Sequence, residues 1–306
     1  MVIIIVVFCI SILFFSYYAY RISFYSPKRI TEELYKLPEG PQYEKEHKNI
    51  LTSIHKMLEY SYEEVTITSF DGTKLFARYY HVADNAPLQI QFHGYRSSAI
   101  LDFCGGNYLA RKLNHNTLVV DQRSHGKSEG HVITFGIKER RDCLCWVHYA
   151  SNRFGETTPI ILSGLSMGAA TVLMAADLDL PDNVRGIIAD CPYSSPKEII
   201  QKVCRDMRFP ARLTYPFIKL GAFLFGHFNL EESNAIDAVK HTKIPILLIH
   251  GQEDYFVPCQ MSIDIQNACS SKISLTTIPH AGHGLSYLIE PEKYEAATIK
   301  FVKQIL

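Results

Sequence analysis

Residues Pro159 to Ala176 constrain the possible fold of the chain more than any other stretch. The part up to Leu165 is apolar and β-branched, which is typical of a buried strand, and the part from Met167 onward has apolar side chains at helical spacing. A strand that leads directly into a helix forces a sharp turn, which exposes the hydroxyl of Ser166 at the end of the sheet. We therefore predict Ser166 as a nucleophile; the alternative is an ordinary surface loop that contains serine.

Downstream and upstream of this stretch, strand-like and helix-like segments alternate, which predicts an α/β fold: a mainly parallel sheet with helices on both faces. Residues 64–80 predict a hairpin that adds antiparallel strands at one edge, with Asp71-Gly72 at its turn. Strands are expected at 88–92, 117–121, 159–163, 185–190, 245–250 and 274–278, and helices at about 99–113, 136–152, 167–178, 259–268 and 287–304.

Residues 192–240 interrupt the alternation with a segment rich in proline, arginine and aromatic residues. An insert that follows a strand end lies above the open edge of a parallel sheet, so we predict a helical cap over the site. A plain pair of packing helices is one alternative. A surface that faces a membrane is another, because basic and aromatic side chains together suit a lipid surface.

Two later loops provide partners for Ser166. A serine hydroxyl needs a base to accept its proton and an acid to orient that base. Asp254 directly follows the predicted strand at 245–250, and His283 lies in the loop after the last predicted strand. We predict Asp254 as the acid and His283 as the base, with Glu253 as the alternative acid and His280 as a structural residue.

The oxyanion of such a reaction needs two backbone donors. The first is expected to be the N–H of Met167, the residue after the nucleophile, and the second to come from the loop after the 88–92 strand. Gly164 and Gly168 flank the serine and leave room for the turn because they have no Cβ.

Five ordered motifs resemble those of the α/β-hydrolase superfamily: His93-Gly94-Tyr95, residues 121–128, Gly164–Gly168, His250-Gly-Gln-Glu-Asp254 and residues 281–284. The chain order serine, aspartate, histidine is also the order expected of that fold. The resemblance extends from about residue 62 to the C-terminus. Within the superfamily the chain is similar to bacterial membrane-anchored serine hydrolases related to the serine-aminopeptidase and esterase group.

The resemblance implies further assignments. It implies that the second oxyanion donor is the N–H of Tyr95, with His93 and Gly94 as supporting residues of the same loop. It also implies that residues 121–126 are structural, which leaves His125 outside the catalytic set. The expected activity is cleavage of a carboxylic ester, with an amide-cleaving aminopeptidase, an acyltransferase and a non-catalytic ligand-binding module as alternatives.

The N-terminal residues Val2 to Tyr20 carry no charge and would span about 28 Å as a helix, close to the hydrocarbon thickness of a bilayer. We predict a transmembrane anchor at 1–21, a linker with short helices at 22–61, and the hydrolase domain at 62–306. A cleaved signal peptide is the alternative. Apolar side chains at Ile30, Leu34 and Leu37 predict one of the short helices.

The location follows from charge and from cysteine usage. Arg21, Lys28 and Arg29 follow the apolar stretch, so the positive-inside rule places the catalytic domain of a single-pass protein in the cytoplasm. The eight cysteines have no disulfide-framework spacing, which favours free thiols in a reducing compartment.

Composition and motifs limit which ligands and partners the chain is expected to bind. The net charge is zero and the sequence pI is near 7.2, which argues against nucleic-acid binding. Cys143 and Cys145 lack histidine partners for a zinc site, and we find no metal-ligand cluster, phosphate loop or dinucleotide motif. We therefore expect no metal and no cofactor, a small and hydrophobic acyl substrate, and contact with the membrane through the N-terminal helix. The sequence makes no prediction of the oligomeric state.

Overall fold

The computed structural model describes residues 2–26 and 37–306. Ile30 and Leu34 of the predicted linker helix lie outside these residues. The strands are β1 Glu63–Thr68, β2 Lys74–Tyr80, β3 Leu88–Phe92, β4 Asn116–Asp121, β5 Ile160–Leu165, β6 Val184–Asp190, β7 Ile246–Gly251 and β8 Ile273–Ile278. The helices are α1 Val2–Ser23, α2 Pro41–Glu44, α3 His47–Leu58, α4 Ala99–Lys112, α5 Glu139–Phe154, α6 Met167–Ala175, α7 Pro196–Asp206, α8 Ala211–Gly226, α9 Ala235–Val239, α10 Gln260–Ala268, α11 Ser286–Ile289 and α12 Pro291–Ile305.

In the described part of the chain the eight strands form one sheet in the order β1-β2-β4-β3-β5-β6-β7-β8. The six strands β3 to β8 are mutually parallel. Strands β1 and β2 add two antiparallel strands at one edge. The predicted α/β architecture with its opening hairpin is confirmed. Since the parallel strands all point the same way, the loops after β3, β5 and β7 meet at one edge of the sheet.

Apolar side chains on both faces hold the helices against the sheet, as expected for strands that read as continuous apolar runs. Every residue of β3, β4 and β7 is buried. One face packs on α5 and α6 around Trp146, which is completely buried. The other face packs on α12 through Phe301, and on α3 and α4 through Ile54 and Phe103.

The helix predicted at 287–304 is two helices in the structure. Helix α11 ends at Ile289, and α12 begins at Pro291. Proline has no backbone N–H and a fixed φ, so it suits the first position of a helix and interrupts a preceding one. The prediction rested on the helical spacing of residues 294–305 and extended that helix past Pro291 to residue 287.

The insert between β6 and β7 contains α7, α8 and α9. Helices α7 and α8 form an apolar cluster with the end of α1, in which Tyr20 and Phe24 are buried. Helix α1 is the one helix within residues 2–26 and 37–306 that is long and apolar enough to cross a membrane. Its first part is exposed, whereas its last turns belong to the packed domain.

Candidate active site

The turn between β5 and α6 presents Ser166 at the end of the sheet. Ser166 has φ 55°, in the left-handed region that is unfavourable for residues other than glycine. Its N–H donates to the carbonyl of Asp190 at 2.9 Å, which fixes the turn against β6. A Cβ added at Gly164 would lie 2.3 Å from the backbone of Gly168, and one added at Gly168 would lie 1.8 Å from the Phe92 carbonyl oxygen. Glycine is therefore required at both positions.

Three side chains predicted from distant parts of the sequence lie in one hydrogen-bonded row. His283 Nε2 lies 2.9 Å from Ser166 Oγ, and His283 Nδ1 lies 2.7 Å from Asp254 Oδ2. With Nδ1 protonated toward the carboxylate, Nε2 is free to accept the serine proton. The geometry therefore suits general-base activation of the Ser166 hydroxyl.

Asp254 is held as an anion by its surroundings. Burial alone would raise the pKa of this carboxyl, but hydrogen bonds from His250 and His283 outweigh it and hold the pKa well below its usual range. The backbone N–H groups of Phe256 and Val257 also donate to Oδ1, at 3.0 and 2.7 Å. The carboxylate is therefore ionised and rigidly oriented at neutral pH.

His250 is a residue whose role we did not predict, although it lies in one of the motifs. Its Nε2 lies 2.8 Å from the Val257 carbonyl oxygen and 3.3 Å from Asp254 Oδ2, and its Nδ1 lies 2.7 Å from Ser262 Oγ. Since a carbonyl only accepts, Nε2 must carry a proton, and it is aimed at both oxygens. His250 thus fastens the loop that carries Asp254.

Glu253, the alternative acid, and His280 pair with each other away from Ser166. His280 Nδ1 pairs with Glu253 Oε1 at 2.9 Å, and the His280 side chain is 82% exposed. The structure therefore brings Asp254, rather than Glu253, to His283. His280 is kept on the surface by this pair.

The loop after β3 lies beside the serine. A Cβ added at Gly94 would lie 3.4 Å from Ser166 Cβ, and the Gly94 N–H donates to Asp102 Oδ2 at 2.6 Å. Within the residues described, no backbone hydrogen bond is formed by the N–H of Tyr95 or of Met167. Both donors predicted for the oxyanion are thus without a competing partner. Asp102 was not predicted, because only the packing of α4 reveals that it anchors this loop.

Two buried histidines support the same loop. His93 accepts from the Gln122 N–H at Nε2, 3.0 Å away, and lies 2.8 Å from the Gly94 carbonyl at Nδ1. Burial lowers the pKa of His93 to about 4. His125 accepts from the Arg96 N–H at 3.0 Å, and burial lowers its pKa well below the usual value. Both rings are therefore neutral structural residues.

A cavity of about 900 Å³ opens at Ser166 and His283. It extends between the sheet and the helices α4, α11 and α12, and its apolar lining includes Ile50, Leu101, Phe103, Leu109, Leu165 and Ile188. Asp190 also lines it, and burial raises the pKa of that carboxyl to about 6. Cavities of this size accommodate small organic ligands.

One group of potential metal ligands occurs in the described residues: Cys191, Asp254 and His283, whose ligand atoms lie within 4.8 Å of one another. Two of these side chains already pair with each other. Burial raises the pKa of the Cys191 thiol well above its usual value, and a protonated thiol is a poor ligand. These residues therefore fit a proton-transfer row better than a metal site.

The family described as serine aminopeptidase, S33, matches residues 90–228. Among curated proteins, the uncharacterized protein YqkD of Bacillus subtilis is 25% identical over 248 residues, which cover 79% of this chain and 81% of YqkD. The structure of the Pyrococcus furiosus esterase Pf2001 superimposes with a TM-score of 0.70 and 23% identity, covering 92% of this chain and 98% of the esterase. A Pyrococcus horikoshii acylaminoacyl peptidase superimposes with a TM-score of 0.59 and 17% identity, covering 82% of this chain and 42% of the peptidase.

The sheet order and the strand–turn–helix at Ser166 together define the α/β-hydrolase fold. The chain is similar to the serine aminopeptidase family over residues 90–228, and its fold is that of the solved esterase. The fold and the resemblance expected from the sequence motifs are both confirmed.

Proposed function

We propose that the protein is a serine hydrolase that cleaves a carboxylic ester through an acyl-enzyme. The observation that carries the proposal is the position of the His283 imidazole between Ser166 Oγ at 2.9 Å and Asp254 Oδ2 at 2.7 Å. This arrangement serves a two-step acyl transfer, since the same imidazole can accept a proton in one step and return it in the next.

In the first step Ser166 Oγ attacks the carbonyl carbon and His283 Nε2 takes the hydroxyl proton. The carboxylate of Asp254 stabilises the imidazolium, and the N–H groups of Tyr95 and Met167 donate to the oxyanion. The tetrahedral intermediate then expels the alcohol, which receives the proton from His283. In the second step water attacks the acyl-serine with the same base, the carboxylic acid leaves, and the Ser166 hydroxyl is restored.

The apolar lining of the cavity supports a hydrophobic acyl group as substrate. Amide cleavage is the second candidate, favoured by the match to the serine aminopeptidase family. Since an amine is a poorer leaving group than an alcohol, it would require proton delivery from His283 before the bond breaks.

We also propose that α1 anchors the protein in the cell membrane as a single span, with the catalytic domain in the cytoplasm. The burial of Tyr20 and Phe24 in the domain core supports an uncleaved anchor, because removal of a signal peptide here would remove core side chains. The basic Arg21 after the apolar stretch supports the cytoplasmic orientation.

Labelling with a fluorophosphonate probe tests the proposed nucleophile. Ser166→Ala is expected to abolish labelling and to lower ester hydrolysis on the order of 10⁶-fold, because the whole constellation acts through this oxygen. Ser163→Ala is the matched control, since Ser163 lines the same cavity without contacting His283. Labelling that persists in Ser166→Ala and disappears in Ser163→Ala would refute the assignment.

A further inference from the structure

The apolar helix α1 projects freely from the domain over only part of its length. Residues Val2–Ile10 are exposed on all sides, and beyond them α1 packs along α8. The two helices run parallel, because their aromatic contacts advance together from Phe15–Phe217 at 6.0 Å to Phe24–Phe228 at 5.2 Å. The start of α8 therefore lies beside the middle of α1.

The free part of α1 is about 14 Å long, whereas the hydrocarbon core of a bilayer is about 30 Å thick. Phe14 and Tyr18, further along α1, are also exposed on the side away from α8. Insertion that covers these apolar side chains, whether it crosses one leaflet or both, brings the beginning of α8 into contact with lipid.

The turn before α8 has the composition of a membrane-surface segment. We define residues 205–213 as the cap tip. Met207, Phe209 and Leu213 are 59%, 52% and 69% exposed, and the cap tip also carries three exposed arginines, at 205, 208 and 212. Its one acidic residue, Asp206, is paired with Lys202. Apolar side chains among exposed cations fit a surface of anionic headgroups over hydrocarbon.

We propose that the cap tip is a second membrane contact, which binds a bilayer that carries anionic headgroups. The full chain is reconstituted in vesicles of brominated phosphatidylcholine and phosphatidylglycerol in equal amounts, and tryptophan quenching is measured. Leu213→Trp places a reporter on the cap tip, Leu306→Trp places one on the exposed C-terminus, and the native Trp146 is buried in both. We expect at least twofold stronger quenching for Leu213→Trp, and a loss of that difference when the three arginines are replaced by glutamine.

Equal quenching of the two reporters in these vesicles would overturn the proposal. Quenching of Leu213→Trp that survives the arginine replacements would overturn the role of anionic headgroups. Neither result depends on whether the protein is a hydrolase.

A separate set of contacts joins the end of α1 to the loop beside Ser166. Tyr95 Oη donates to the Ser23 carbonyl at 2.9 Å, and Arg96 Nη2 donates to the Ile22 carbonyl at 2.8 Å and the Tyr25 carbonyl at 3.3 Å. Carbonyls in the last turn of a helix have no partner within it, so these side chains cap α1.

The loop that carries Tyr95 and Arg96 has a strained backbone that its neighbours must stabilise. Arg96 has φ 52°, which is costly for a residue with a Cβ unless its surroundings enforce it. Its N–H is fixed by His125 on one side, and its side chain by α1 on the other. The Tyr95 N–H, assigned above as an oxyanion donor, lies between these two attachments.

We infer that the Tyr95 hydroxyl and the Arg96 guanidinium are positioning groups, which use the end of α1 to hold the oxyanion donor in place. The inference rests on the proposed function. Tyr95→Phe removes one of these hydrogen bonds and keeps the ring, and we expect kcat for a p-nitrophenyl ester to fall about tenfold while KM changes less than twofold. Tyr193→Phe is the matched control, because the Tyr193 hydroxyl bonds another loop carbonyl, that of Phe135, at 2.9 Å.

Fluorophosphonate labelling distinguishes a failure of the positioning role of Tyr95 from a failure of the hydrolase assignment. If Tyr95→Phe is labelled to completion at a lower rate, the positioning role is supported. If it hydrolyses ester at the wild-type rate, or if Tyr193→Phe is equally impaired, the positioning role is wrong while the hydrolase assignment stands. If the wild-type protein is neither labelled nor active, the proposed function itself fails.

Discussion

At the scale of single residues, several hydrogen bonds of the site serve to orient one carboxylate, that of Asp254. Both of its carboxylate oxygens accept hydrogen bonds, one from the two backbone N–H groups of its own loop and the other from His283, with His250 close by. Such a carboxylate fixes the tautomer of the histidine as well as its position.

Asp254→Asn is therefore expected to lower kcat on the order of 10⁴-fold, because an amide would favour the wrong tautomer of His283. Steady-state hydrolysis of a p-nitrophenyl ester measures the change. Glu253→Gln is the control and should retain nearly full activity, since the Glu253 carboxylate pairs with the exposed His280 rather than with His283. The reverse ranking of the two variants would make Glu253 the acid.

A second residue-scale prediction concerns stability. Burial raises the pKa of Asp190 from 3.8 to about 6. Between pH 3.8 and pH 6 the carboxyl is therefore protonated in the folded state and ionised in the unfolded state. The free energy of unfolding should therefore fall as the pH rises through this window, by about 3 kcal/mol. Asp190→Asn cannot ionise and should lose this decline. Urea unfolding at pH 5 and pH 8, between which about half of this decline falls, provides the measurement, and parallel declines in both proteins would contradict it.

The sequence was sufficient to predict that Ser166, Asp254 and His283 meet, because each follows the end of a predicted parallel strand. Their chemical roles stay predictions until activity is measured. Asp102 and His250 could not be assigned, since one depends on the packing of α4 and the other on the path of the loop after β7.

At the scale of elements, the turn from β5 to α6 depends on close backbone contact between α6 and β3. Gly168 is the point of contact, with the Phe92 carbonyl where a Cβ would lie. The strand and helix on either side of this turn were predictable from their apolar patterns, as was the mainly parallel character of the sheet. The break between α11 and α12 was missed because the prediction rested on the apolar spacing after residue 294 and gave no weight to Pro291.

Gly168→Ala should lower the free energy of unfolding by about 3 kcal/mol or prevent folding, because neither of the two backbone segments can move aside easily. Denaturant unfolding measures this loss. Gly106→Ala in α4 is the comparison, since its Cβ would meet a side chain rather than backbone, that of Phe103, which borders the cavity. Similar losses in both variants would show that the backbone contact is not the cause.

At the scale of the whole molecule, α1 is both an apolar projection and a part of the core. Phe24 is fully buried, its carbonyl accepts from the Ile133 N–H at 2.8 Å, and Ser26 N–H donates to the His131 carbonyl at 2.8 Å. The sequence indicated an apolar helix of membrane-spanning length, yet nothing in its pattern showed that its last turns pack on α8. That contact joins segments far apart in the chain, and such pairings are invisible to local periodicity.

Two truncations should separate these roles. Deletion of residues 2–15 removes mainly exposed side chains and should leave the thermal unfolding midpoint in detergent almost unchanged. Deletion of residues 2–26 also removes Tyr20 and Phe24, and should destabilise the domain by at least about 3 kcal/mol. Equal midpoints for the two truncated proteins would mean that the end of α1 contributes nothing to the fold.

The pairing of α1 with α8 also affects the order in which the protein can be completed during synthesis. Helix α1 leaves the ribosome well before its partner, which begins at Ala211 and emerges only after six of the eight strands of the described sheet have been made. Until then Tyr20 and Phe24 lack the part of their surroundings that α8 and Phe228 provide. The packing of α8 on α1 is thus a late step, and if α1 has already entered the bilayer, this step takes place at the lipid surface.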